Sequence, residues 1–127
     1  MGYDRILGAL YAFAYGDALG MPGEFFTQEN IREQFGYIDT FLDAPPNNQI
    51  TAGLEAGSVT DDTFMTVCLA ESLIAYQGEV NNEDILARIV AWTTSDNNVQ
   101  VVGPSTQKAF EQISQGIPIE ETGKAGI

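Results

Sequence analysis

Between positions 60 and 77 the apolar side chains Phe64, Met65, Cys68, Leu69, Leu73 and Tyr76, with Ser72 among them, recur every three to four residues. That period predicts an amphipathic helix, and Gly78 supplies its stop. The stretch "YDRILGALYAFAYGDALG", residues 3 to 20, repeats the pattern more broadly, with Ile6, Leu7, Leu10, Tyr11, Phe13 and Ala14 forming one stripe. Gly8, Ala9, Ala12 and Ala14 are small enough there to admit a close neighbouring helix, and Gly16, Gly20, Pro22 and Gly23 end it in a glycine-rich turn. A short helix is expected over 27–35, capped by Thr27 and stopped by Gly36. "NNEDILARIVAWTTS" gives a fourth, with Asn81 or Asn82 as cap, and "GPSTQKAFEQISQG" a fifth, from about Ser105 to Gln115. From Tyr37 to Gly57 the period dissolves into "DAPPNNQITAGLEAG", which reads as a long exposed loop. No segment alternates as a strand does, so the expected class is all-α, one domain over 1–127.

Charge narrows the field of partners. Eighteen acids against five basic residues give a formal charge of −13, and the basic residues are scattered. Polymeric nucleic acid and anionic membrane are excluded on that ground, because Lys and Arg supply the attraction such binding needs. No apolar run is long enough to span a bilayer and the start does not read as a signal peptide, so a cytoplasmic location is expected. The chain has no histidine and a single cysteine, Cys68, on an apolar helix face. Histidine-based triads, thiol–imidazole pairs and nitrogen- or sulfur-ligated metal sites are therefore ruled out from its own residues. Carboxylates, hydroxyls and backbone remain, and these suit a hard cation.

Two short motifs carry that chemistry. In "GDALGMPGEF", residues 16 to 25, Asp17 falls at a helix C-terminus, where the macrodipole disfavours an acid, and Glu24 follows a Pro-Gly turn. The plainer reading, a helix terminator followed by solvated acids, suffices for this motif alone. In "SVTDDTFM", residues 58 to 65, Ser58 or Thr60 would cap a helix whose first turn holds Asp61 and Asp62. Successive residues there point about 100° apart, so Thr60, Asp61 and Asp62 also form an arc of oxygens fit for part of a Mg²⁺ or Ca²⁺ shell. Capping and metal binding are compatible.

The two motifs in this order, followed by "GPSTQKAFEQISQG", resemble the amino-terminal part of the ADP-ribosylglycohydrolase family, which includes the dinitrogenase-reductase-activating glycohydrolases. The resemblance implies an orthogonal multi-helix fold, of which this chain would supply the amino-terminal helices. It also implies two magnesium ions, manganese in some members, and hydrolysis of the glycosidic bond of an ADP-ribosyl group. Matched residue by residue, it makes Thr60, Asp61 and Asp62 metal ligands and Glu24 and Asp61 catalytic. Asp17, Gly103 and Ser105 become substrate-side residues lining the cleft.

Members of the family also carry a second Asp-x-Asp cluster followed by Ser or Thr near the carboxyl end, and this chain has none. The resemblance therefore implies a partner, a carboxyl-terminal chain supplying the remaining metal ligands, with the present chain a fragment or one half of a two-chain enzyme. The expected substrate is a small molecule or an ADP-ribosylated protein. The alternatives are a nucleoside or small N-glycoside hydrolase of the same fold, which the scarcity of Lys and Arg suits, and a non-catalytic, crystallin-like structural or interaction relative.

Overall fold

A computed structural model describes residues 2–95 and 102–122. Over these the chain forms α1 (Tyr3–Gly20), a 3-10 turn (Met21–Gly23), α2 (Gln28–Phe35), α3 (Asp61–Ala75), α4 (Asn82–Thr93), α5 (Pro104–Ser114) and a second 3-10 turn (Ile119–Glu121). No strand occurs among the described residues, and the all-α class holds. The chain divides into two compact units, Met1–Thr63 and Phe64–Ile127, so the first turn of α3 belongs to one and the rest of that helix to the other. No helix among the described residues is long and apolar enough to cross a membrane.

Local chemistry sets the element ends. Thr27 accepts the Asn30 N–H at 3.2 Å, and Gly36, at φ 73°, donates back to the Arg32 carbonyl. Asn81 accepts the Asp84 N–H at 3.0 Å, which fixes the α4 cap at 81 rather than 82. The α5 helix begins one residue before the expected start, because Pro104 at its first position is preset for helical φ and Gly103 takes the cap position. α3 ends at Ala75, two residues early, since Gln77 at φ 55° already turns left-handed before Gly78 does.

The first unit is centred on the 21–23 turn. Met21, Pro22 and Gly23 are buried, with Ala18 behind them. The segment expected as exposed loop adds Ala44, Asn48 and Thr51 to the same buried set. Polar, aperiodic residues leave no mark in a hydrophobic pattern, and these two are tolerated inside because they are hydrogen-bonded. Asn48 accepts the N–H groups of Ile50 and Thr51 at 2.8 and 2.9 Å. It donates to the Glu24 carbonyl at 2.9 Å, and Thr51 donates to the Met21 carbonyl at 3.1 Å.

The α1 stripe behaves differently from expectation. Ile6 is 50% exposed and Phe13 45%, and nothing lies within 4 Å of where a Cβ on Gly8 would sit. Within the first unit, no close helical neighbour covers this part of α1 among the described residues. On its other side Tyr15 meets Phe41 ring to ring, 5.1 Å between centroids.

In the second unit Phe64 stacks on Trp92 with centroids 4.9 Å apart. Arg88 joins its two longest helices, donating to Asp84 at 2.7 Å and to Glu71 on α3 at 3.1 Å. Cys68 and Ser72 are buried on α3, and burial followed by the nearby Glu71 charge pushes the Cys68 thiol up, as expected for an inert cysteine. Replacing the α4 cap, Asn81→Ala, should destabilise this unit by about 1 kcal/mol, and Asn81→Ser should retain most of the native stability. Urea unfolding followed by fluorescence of the chain's single tryptophan, Trp92, measures it.

Candidate active site

The site grows from the last turn of α1. Asp17 reaches across 43 residues of sequence to the start of α3: its Oδ2 accepts the Thr60 N–H at 2.8 Å and its Oδ1 accepts the Thr60 hydroxyl at 2.7 Å. Oδ2 also accepts the Thr63 N–H at 3.3 Å and the Thr63 hydroxyl. The first N–H groups of a helix have no intrahelical acceptor and carry the positive end of its dipole, so a carboxylate there is held strongly. This explains why an acid stands at the disfavoured C-terminus of α1. The cap that local sequence offered through Ser58 or Thr60 comes instead from a distant helix, and Thr60 serves as a donor to it.

Beside this joint lies a pocket of about 480 Å³. Phe13, Met21 and the glycines at 16 and 20 wall it, and Asp17, Glu24, Thr60 and Asp62 supply its polar groups; no Lys or Arg lines it among the described residues. Thr60 is only 4% exposed. Asp61 and Asp62 occupy the first turn of α3, as expected. The structure thus brings together Asp17, Glu24, Thr60 and Asp62, with Asp61 close enough for its charge to act on Glu24. Gly103 and Ser105 belong to the second unit, where Ser105 borders a largely apolar cavity with Met65, Leu86 and Phe110. The first unit's pocket is built without them.

Electrostatics mark Glu24 above its neighbours. Its Oε2 is buried and has no hydrogen-bond partner. Burial, then the charges of Asp61, Asp62 and Asp17, hold its carboxyl above the usual glutamate range. Asp62 is raised for the same reasons, burial first and then Asp61 and Asp17. Among the described residues no three acid or cysteine side chains converge closely enough to hold an ion. The donors nevertheless fit a hard divalent cation in kind. All are oxygens, the repulsion among the acids is what a cation relieves, and the Thr60 hydroxyl donates its hydrogen bond to Asp17, leaving oxygen lone pairs for a ligand. In number they supply part of a shell.

A family model for ADP-ribosylglycohydrolase matches residues 2–126. The chain belongs to the ADP-ribosylglycohydrolase family. As a member of that family it is 36% identical over 129 residues to the Escherichia coli (strain K12) protein YegU, whose own function is uncharacterized, covering 100% of this chain and 39% of YegU. It is 36% identical over 97 residues to the ADP-ribosyl-[dinitrogen reductase] glycohydrolase of Rhodospirillum rubrum, covering 73% of this chain and 30% of that enzyme. It is 30% identical over 114 residues to the ADP-ribosylarginine hydrolase Tri1 of Serratia proteamaculans, covering 86% of this chain and 28% of Tri1. This family member therefore spans less than two fifths of the relatives' length. No solved structure matches it.

Three residues of this arrangement escaped the sequence reading. Thr63 had a visible signal, a threonine on either side of the aspartate pair. Asn48 and Thr51 had none beyond an asparagine pair in a Pro-rich segment.

Asp17→Ala should cost about 2 to 3 kcal/mol, because it strands the Thr60 and Thr63 donors, while Asp17→Asn should lose less. Urea denaturation of the three proteins gives the ranking. Raised carboxyls set a pH dependence of definite sign. Between its ordinary and its folded pKa, Glu24 binds more proton folded than unfolded, so its contribution to stability is present at low pH and is lost as pH rises above about 4.3. In chelator, the melting-temperature gain of Glu24→Gln over the native chain should grow from pH 4 to pH 7. A constant or shrinking gain would remove the repulsion argument.

Proposed function

We propose that this chain is the amino-terminal part of a divalent-metal-dependent hydrolase that cleaves the glycosidic bond of an ADP-ribosyl group. The observation that supports it best is the buried, unpartnered Glu24 Oε2 facing a pocket whose other polar groups are Asp17, Thr60 and Asp62. The family match and relatives that act on ADP-ribosyl dinitrogen reductase and ADP-ribosylarginine give the reaction its class. Thr60, Asp61 and Asp62 would hold Mg²⁺ or Mn²⁺, two ions in all, with the remaining ligands from polypeptide outside residues 1–127 that carries a second acidic cluster. When bound, the cations supply positive charge against the acids and a grip on ribose hydroxyls.

The residues of this chain divide the remaining work. Asp17 keeps Thr60 and the first turn of α3 in place. Glu24, with its proton affinity raised by burial and by neighbouring acids, accepts the proton of the attacking water as that water bonds to the anomeric carbon. The bond from that carbon to the leaving nitrogen or oxygen breaks, and the leaving group takes up a proton. The exposed stripe on α1 suits a chain whose remaining polypeptide covers it, since a solvent-facing apolar patch of this kind marks a contact surface.

The test uses the whole protein that contains this chain, incubated with ADP-ribosylarginine or a nucleoside, with Mg²⁺ or with chelator. Release of ADP-ribose that needs the metal, and that falls at least about 100-fold in Asp61→Ala with the fold intact, is the expected result. Cleavage of the nucleoside alone would shift the substrate to the smaller glycosides, which a pocket lined by no Lys or Arg among the described residues also suits. Neither turnover nor Mg²⁺ binding by calorimetry would leave a non-catalytic member of the family.

A further inference from the structure

We infer that Asn48 and Thr51 are positioning residues for Glu24, clamping the two ends of the 21–24 turn so that its carboxyl is aimed into the pocket. The inference rests on Glu24 being the proton acceptor proposed above. Thr51 is fully buried and donates its hydroxyl to the Met21 carbonyl at 3.1 Å, from 30 residues away. Asn48, 3% exposed, donates its amide to the Glu24 carbonyl at 2.9 Å. The same Asn48 oxygen accepts the Thr51 N–H at 2.9 Å, so the two clamps form one rigid piece. A buried hydroxyl and a buried amide bonded to the carbonyls at both ends of a distant turn fix the path of that turn.

Three further observations indicate that the path is forced. Phe25, directly after Glu24, sits at φ 60° although the residue is 70% exposed. A non-glycine residue in the left-handed region carries a strain of about 1 to 3 kcal/mol, and such strain persists only where the surroundings over-determine the backbone. Phe25 recovers nothing by burial, so the constraint comes from the residues before it. Glu24 itself keeps a buried oxygen without a partner, which a relaxed turn would return to water. Gly23, on the opposite side, already has Ile31 within 3.2 Å of where its Cβ would be, which leaves the turn little room to shift that way. Freed from its clamp, the chain from Met21 to Phe25 would lose the strain and Glu24 would leave the pocket.

The decisive variants are Thr51→Val, which keeps shape and removes the donor, and Thr51→Ser, which keeps the donor. In the whole protein with Mg²⁺, Thr51→Val should lower kcat about 10- to 100-fold, a loss of the size seen when a supporting residue is removed, with KM changed less than about 3-fold. Thr51→Ser should return kcat to within about 3-fold of the native value. In parallel, amide hydrogen exchange of residues 21–26 by mass spectrometry should quicken about 10-fold in Thr51→Val and stay native in Thr51→Ser. Unchanged exchange, an equal loss in both variants, or a kcat loss that merely follows the unfolded fraction would overturn the inference. If the native protein cleaves no ADP-ribosyl substrate, the proposed reaction falls, and the exchange comparison alone decides whether the clamp holds the turn.

Discussion

One carboxylate, Asp17, ties the last turn of α1 to the first turn of α3 through four hydrogen bonds from Thr60 and Thr63. Everything placed around the pocket depends on that joint. It sets where Thr60 and the aspartate pair begin, and it orients the Thr60 hydroxyl by accepting its hydrogen bond. The same contact reconciles two electrostatic facts that would each be unfavourable alone: an acid at a helix C-terminus, and a helix N-terminus whose donors lack acceptors. Two small penalties are removed by one interaction between elements far apart in sequence.

The helices were legible because their signals are local. Thr27, Asn81 and Gly36 act on residues within four positions, and the structure places each as the cap or stop it resembles. The aspartate pair was legible for the same reason. What the sequence concealed was every interaction that crosses the chain. Asp17 looked like an anomaly because its partners lie 43 and 46 residues on. Asn48 and Thr51 looked like loop because burial of a hydrogen-bonded polar residue has no hydrophobic signature. The α1 stripe errs the other way: its period is truly helical, yet period reports a face to be covered and says nothing of what covers it.

The acids around the pocket also act on one another. Glu24 and Asp62 are raised by desolvation and by one another, so the pocket stores repulsion. Stored repulsion of that kind has two exits, protonation or a cation, and at neutral pH a divalent ion is the stronger of the two. Among the described residues no Lys or Arg lines the pocket, so side chains there bring no positive charge against these acids.

Rigidity is distributed accordingly. The first unit buries few large apolar side chains among its described residues, and its centre is a polar lattice of Asn48, Thr51 and Thr60 tied to backbone and to Asp17. Apolar contacts are non-directional and would permit the 21–24 turn to slide; hydrogen bonds to named carbonyls do not. A strained Phe25 and an unpartnered Glu24 oxygen can be kept only by directional bonds of this kind. The polar core is therefore the means by which a small helical unit holds one carboxylate where its own energetics would not leave it.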